Sequence, residues 1–243
     1  MEMNMENTEF IMQKGEGLII SIMQPTFIPW LGYFNLIRQS DTFVFLDSVQ
    51  FEASSWQQRN KILIGDREVW LTVPTSRPNG RETLLHDVRV NYDHFDPKTV
   101  CETLRRSYGK KRGFDWIELE LFPIFKENYS SLVDLNIELI SIISNHLGLE
   151  TNFYKSSDLQ TFGKKELLLE SILLNFCDAT YLSPIGAQVY LSKLGTSFPS
   201  GIRIEYQDYL HPSYDQGKRL FKSHMSIVDA IANVGIEQVK DLV

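Results

Sequence analysis

Asp47 closes an apolar run, Gln50 follows it, and Gln57, Arg59 and Asn60 come shortly after. A carboxylate, several carboxamides and a guanidinium can together accept a proton, donate to a developing oxyanion and hold an anion. His211 and His224 are further proton acceptors, because histidine titrates near neutral pH. Arg105, Arg106, Lys110, Lys111 and Arg112 crowd into RRSYGKKR around Tyr108 and Gly109. That cluster reads either as a solvated helix end and turn or as a phosphate site. Tyr214 and Gln216 lie in HPSYDQGKRLF, whose proline and glycine give it the character of a binding loop as much as of an ordinary one. Ser183 lacks the Gly-x-Ser-x-Gly setting of a nucleophile elbow. Cys101 and Cys177 stand in no reactive-looking motif, and no His or Cys pairs have metal-ligand spacing, so no bound metal is expected.

Elements of regular structure must position these groups. Residues 18–23 (LIISIM) are a short apolar, β-branched run and predict a buried strand. QPTFIPWLG follows, and its prolines and glycine make it a loop. YFNLIRQS reads as a short helix, and TFVFLD (42–47) as a second buried strand ending at Asp47. Strand, loop, helix, strand is a βαβ unit, with parallel strands and a right-handed crossover. EVWLTVP (68–74) is read as a third strand after a turn at Gly65-Asp66, TSRPNGRET (75–83) as a loop, and HDVRV (86–90) as a half-exposed strand. Asp96 and Pro97 can start a helix through CETLRRSY. SLVDLNIELISIISNHLG puts Leu132, Leu135, Leu139, Ile142, Ile143 and Leu147 on one helical face closed by Gly148. TNFYKSSDL, ATYLSP and IRIEYQDY (202–209) read as strands, KKELLLESILLNFC as an amphipathic helix, and the tail as a final helix interrupted at Gly235.

The expected fold is α/β, a Rossmann-like, nucleotidylyltransferase-like parallel sheet core with an additional, mainly helical C-terminal region. The expected organisation is a flexible N-terminal extension at 1–16, a nucleotide-binding-like core at 17–112, and a helical region at 113–243 that returns strands to it. The 243 residues carry a net charge of −7. That balance disfavours a dedicated nucleic-acid binder. The sequence has no apolar run long enough to span a bilayer, so membrane insertion is not expected. The first sixteen residues lack the basic start and apolar run of a secretory signal. Two distant cysteines make no disulfide framework, and a cytoplasmic location is the simplest expectation.

In open parallel sheets ligands bind beyond the carboxyl ends of the strands. Gln24, Trp30, Tyr33, Asp47 and Gln50 follow two such ends and are expected around one crevice. Trp30 and Tyr33 suit either core packing or an aromatic wall against a base or sugar ring. The loop resembles the nucleotidylyltransferase motif G-T-F-D-x-x-H-x-G-H. Trp30 and Tyr33 fall where its two histidines stand, and neither can supply positive charge. The likeness therefore favours the fold type over nucleotidyl transfer.

A longer resemblance covers residues 18–235. Gln24-Pro25, Pro29-Trp30, Gly32-Tyr33-Phe34, Ser40-Asp41, Asp47, Val49-Gln50-Phe51, Trp56-Gln57 and Arg59-Asn60 resemble the opening signature of the WbqC-like family. Tyr181-Leu182-Ser183, Gly186-Ala187 and Tyr190-Leu191 are similar to its middle. Gly201-Ile202, Tyr206, His211-Pro212, Tyr214, Gln216, Phe221, Ser226-Ile227 and Asp229 are similar to its end. The chain departs from that pattern at Ser183-Pro184 and at HFDPKT. The resemblance implies work in surface-polysaccharide (O-antigen) synthesis. Specifically, it implies transfer of an acyl or aminoacyl (glycyl) group to the amine of a nucleotide-linked amino sugar.

That reaction assigns the base to Asp47, His211 or His224. It assigns substrate binding to Gln24, Trp30, Tyr33, Gln50, Trp56, Gln57, Arg59, Asn60, Arg106, Tyr108, Lys110, Ser183, Tyr190, Tyr214 and Gln216. The implied ligands are the nucleotide-linked sugar and an activated donor. A charged transfer RNA would serve as donor chemically, but the acidic balance disfavours it. No resident cofactor is expected. ATP enters with the alternative of a nucleotidylyltransferase or ATP-dependent ligase. A non-catalytic binding protein of glycan assembly is the other alternative, and a homo-oligomer is compatible with all three.

Overall fold

The apolar run after Gly17 forms β1 (Ile19–Met23), which leads through helix α1 (Leu31–Arg38) into β2 (Thr42–Phe45). The two strands pair in parallel, Ile20 opposite Thr42 through Met23 opposite Phe45, which is the βαβ unit expected. This is a computed structural model, and it describes residues 17–176, 178–187, 202–217 and 220–243. The expected extension at 1–16, Cys177 and Tyr190 lie outside the described residues.

Between β2 and the next strand of the sheet lie two small hairpins and a helical run. The hairpins are β3 (Arg59–Ile64) with β4 (Arg67–Thr72), and β5 (Thr75–Ser76) with β6 (Arg89–Val90). The helical run is α2 (Pro97–Tyr108), α3 (Phe114–Trp116), α4 (Phe122–Lys126) and α5 (Leu132–His146). The chain then adds β7 (Asn152–Lys155), α6 (Glu166–Leu173), β8 (Thr180–Ser183), β9 (Arg203–Tyr206), α7 (Ile227–Val234) and α8 (Ile236–Val239).

The main sheet has the order β7-β2-β1-β8-β9 and every pair is parallel. Counted in chain order its strands run 3-2-1-4-5, the Rossmann arrangement, in which the winding reverses beside the first strand. Strand alternation divides the core between two faces. Ile20, Ile22, Val44 and Tyr181 pack on Leu168, Ile172, Leu173 and Phe176 in and after α6. Phe43, Phe45 and Leu182 face a larger cluster that includes Phe34 and Ile37 of α1, Leu139 of α5 and Ile231 of α7.

One strand expectation is corrected in its placement. The strand expected at 68–74 forms over Arg67–Thr72, and it pairs antiparallel with β3 outside the parallel sheet. The turn at Gly65-Asp66 requires this. A two-residue connection can join only antiparallel neighbours, and Gly65 supplies the positive φ of 60° at its first central position. HDVRV contributes only Arg89 and Val90 to pairing, and the expected loop at 75–83 gives its first two residues to that ladder. The helix starts follow local chemistry. Asp96 caps α2 by accepting from Lys98 N at 3.0 Å, with Pro97 in the first turn. Gly235, at φ 83°, separates α7 from α8. Among the described residues no helix is long and apolar enough to cross a membrane.

Candidate functional site

A cavity of about 670 Å³ opens at the carboxyl edge of the sheet. Ile22, Met23 and Gln24 at the end of β1, and Tyr181 and Pro184 of and after β8, contribute to its wall. It therefore sits at the reversal point between β1 and β8, where open α/β sheets bind ligands. Its volume is in the range of a small-molecule site. Leu168 and Leu169 of α6 close one side, and Trp30, Tyr33, Trp56, Gln57, Asn60 and His224 close the other.

The loop after β1 is held in a strained shape. Ile28 has φ 35°, although a β-branched residue before proline disfavours it. Its carbonyl accepts from Asn60 Nδ2 at 2.9 Å and from Ser226 Oγ at 2.8 Å. Asn60 also donates to Phe27 O, and Asn136 donates to Pro25 O and Gln57 O. These buried amides over-determine the loop, which is the condition under which such strain persists. The loop in turn presents Gln24. Gln57 Nε2 donates to Gln24 Oε1 at 2.9 Å, while Gln57 Oε1 accepts from Glu52 N. Gln24 is thereby oriented with its amide N–H groups left for a ligand.

Trp30 caps the start of α1, and its ring lies across Gly32. A Cβ added at Gly32 would stand 2.1 Å from Trp30 Cη2. Gly32→Ala should therefore displace the indole and destabilise the fold by about 1–3 kcal/mol. A changed Trp emission spectrum together with a lowered Tm would record both effects, and an unmoved spectrum would refute the contact.

On its other side Trp30 meets three rings. His211 stacks at 5.8 Å and 8°, His224 lies tilted at 4.8 Å, and Tyr209 meets it edge-on at 5.7 Å. His211 Nδ1 is 2.8 Å from Pro212 O, and His211 Nε2 accepts from His224 N at 3.1 Å. Both nitrogens are thus engaged by backbone in the neutral form, and burial holds the His211 pKa below its ordinary value. His211 is a spacer behind His224. His224 is exposed, lines the cavity, and is held at φ 58° with Nδ1 2.8 Å from Ser223 Oγ.

The expected site residues divide clearly. Gln24, Trp30, Tyr33, Trp56, Gln57, Asn60 and His224 converge on the cavity. Asp47 does not line it. The residue is 1% exposed, and its carboxylate accepts from Ser156 Oγ (2.8 Å), Ser157 N (2.8 Å) and Ser157 Oγ (2.6 Å). A base with both oxygens already occupied by the turn after β7 reaches no substrate. Asp47→Ala is expected to lower stability by about 2–3 kcal/mol through orphaned donors. It should leave ligand affinity of the folded fraction unchanged, as denaturant titration and calorimetry would measure.

Gln50 is exposed and donates to Arg81 O, away from the cavity wall. Arg59 lies over Trp70, its guanidinium carbon 4.2 Å from the ring centre, outside the wall. Arg106 and Lys110 are exposed and outside the cavity wall, and Arg106 pairs with Glu102 at 3.6 Å. Ser183 is fully buried, with Oγ on Pro184 O at 3.3 Å.

Tyr108, Tyr214 and Gln216 gather elsewhere, on Asp229. Tyr108 Oη donates to Asp229 Oδ1 at 2.9 Å; Tyr214 Oη and Gln216 Nε2 donate to Oδ2, each at 2.8 Å. Gln216 also exchanges two hydrogen bonds with the Lys222 backbone. Asp229 is fully buried, and burial raises its pKa above the usual carboxylate value. The network pins the segment carrying His224, which makes Tyr108, Tyr214 and Gln216 supports of the site. Sequence reasoning did not give Asp229 this role, although a carboxylate among the apolar residues of IVDAIANV is the signal. It also missed Lys165, Leu168 and Leu169 of the far wall. Among the described residues no group of histidine, cysteine and carboxylate side chains could hold a metal ion.

Comparison with known proteins adds one family and one relative. The WbqC-like protein family matches residues 24–241. A protein of Mycobacterium tuberculosis (strain ATCC 25618 / H37Rv) described as uncharacterized, Rv1507c, is 30% identical over 227 residues, covering 90% of this chain and 94% of its own length. No solved structure matches significantly.

Proposed function

This chain belongs to the WbqC-like protein family, and from that premise we propose that it is a transferase of surface-polysaccharide synthesis, moving an acyl or aminoacyl group onto the amine of a nucleotide-linked amino sugar. The observation that carries the reading is the cavity at the β1/β8 reversal, walled by aromatic rings and carboxamides with an exposed histidine on it. Carboxamides match sugar hydroxyls as both donors and acceptors. Trp30 and Trp56 offer flat apolar faces for a sugar ring or base.

In this reading the sugar amine enters between Gln24 and His224. Its nitrogen attacks the acyl carbonyl of the activated donor and forms the C–N bond. The bond between that carbonyl and the donor's leaving group breaks, and His224 takes the proton the nitrogen loses. Gln24, fixed by Gln57, donates to the developing oxyanion. Trp30 and His211 hold the His224 ring in place through tilted ring contacts, each at 4.8 Å. Calorimetry of the full chain against UDP- and dTDP-linked amino sugars tests the reading. Binding with a dissociation constant in the micromolar range is the expected result, and no heat with any of them would sink it.

A further inference from the structure

We infer that the nucleotide end of the ligand lies outside the cavity, on a shelf made by Trp56, Trp70, Arg59 and Lys61, with only the sugar inside. This rests on the proposed function and adds an orientation to it.

Charge is the first argument. Among the described residues the cavity wall has one lysine, Lys165, and one carboxylate, Glu52, besides the histidine. A diphosphate inside would therefore meet little net positive charge. Just beyond the mouth the chemistry changes. Trp56 lines the cavity yet remains 47% exposed, and Trp70 on β4 is 41% exposed. Their rings lie 5.1 Å apart at 53°, so the aromatic wall continues outward without a break. The backbone ties them to the site, since Trp56 O accepts from Phe27 N at 2.9 Å.

Cations border this shelf. Arg59 sits 4.2 Å over Trp70, and Lys61 is 5.4 Å from the same ring. Lys61 is paired with Glu68 at 2.9 Å, and Glu68 also meets Lys222 at 3.6 Å. Arg59 has no carboxylate partner among the described residues, and its Nε is buried with no hydrogen-bond partner. A guanidinium held over an indole without a carboxylate partner keeps its terminal Nη donors for a second group, and phosphate oxygens match them. The exposed indole of Trp56 then meets the nucleobase, for which stacking is tolerant of base identity.

The experiment is calorimetric titration of the full chain with UDP, dTDP and UDP-glucosamine. Trp70→Leu and Arg59→Gln should weaken all three by about 10-fold or more. Gln57→Leu should weaken only UDP-glucosamine, because it removes the hydrogen bond that orients Gln24 at the sugar end. Trp70 is a surface residue, so its replacement leaves the fold intact even if Arg59→Gln does not. Wild-type affinity for UDP-glucosamine in both shelf variants would overturn the orientation while the proposed function stands. Loss of diphosphate binding in Lys165→Ala instead would overturn it equally, by moving the phosphates into the cavity. If the wild-type chain bound none of the three, nor any other nucleotide-linked amino sugar, the proposed function would fall and this inference with it.

Discussion

On the proposed function, replacing His224 by alanine is expected to lower acyl transfer by about 100-fold or more, while affinity for the proposed nucleotide-sugar ligand stays within about threefold of wild type. The asymmetry follows from the geometry. His224 sits at the cavity surface, where it can take a proton, and in this reading the ligand's binding groups are Gln24, held by Gln57, and the indoles of Trp30 and Trp56. Removing a group that acts on the transferred proton reduces kcat and leaves KM nearly unchanged. The product is read as the mass gain of the nucleotide sugar. His224→Gln keeps the approximate size and a hydrogen-bonding group but offers no base, so it should be as slow as the alanine variant. Full turnover in both variants would remove His224 from the chemistry.

Asp229→Ala is expected to lower stability by about 3–4 kcal/mol, a drop in Tm of roughly 10 °C. Three buried donors, from Tyr108, Tyr214 and Gln216, lose their acceptor at once. The pH dependence is a sharper test. Burial raises the folded-state pKa of Asp229 above its unfolded value. The folded state therefore binds more protons at this site than the unfolded state between those two values. The contribution is fully present below the unfolded pKa and is lost as pH rises through the folded one. Asp229→Asn cannot titrate. The difference in unfolding free energy between wild type and Asp229→Asn should thus move against wild type as pH rises across that window. A pH-independent difference would show that the folded carboxylate is not shifted.

The βαβ opening was legible because LIISIM and TFVFLD are uninterrupted apolar runs separated by a loop with two prolines. Both runs are buried on two faces, which is what such composition means in a parallel sheet. β3 was less legible because Arg59 and Lys61 lie on its cation-bearing outer face against Trp70, and the apolar alternation is carried by few residues. The site followed the same division. Gln24, Trp30 and Tyr33 could be placed from their position after a strand end. Asp47 could not, because its direction is decided by Ser156 and Ser157, more than a hundred residues away in sequence. Tyr214 and Gln216 looked like loop ligands; the buried carboxylate that claims them lies in the apolar helix α7.

The central strand is made early and finished late. β1 gains β2 within a few dozen residues, but its other neighbour, β8, begins at Thr180, and β9 at Arg203. On the ribosome, at about 5–20 residues per second, that flank stays unpaired for roughly 10–30 s. During that interval Ile20 and Ile22 have no α6 to cover them. A nascent chain in this state is a ready template for strand addition by another copy. Its yield in cells should therefore depend on chaperone capacity and growth temperature more steeply than the finished protein's melting point suggests.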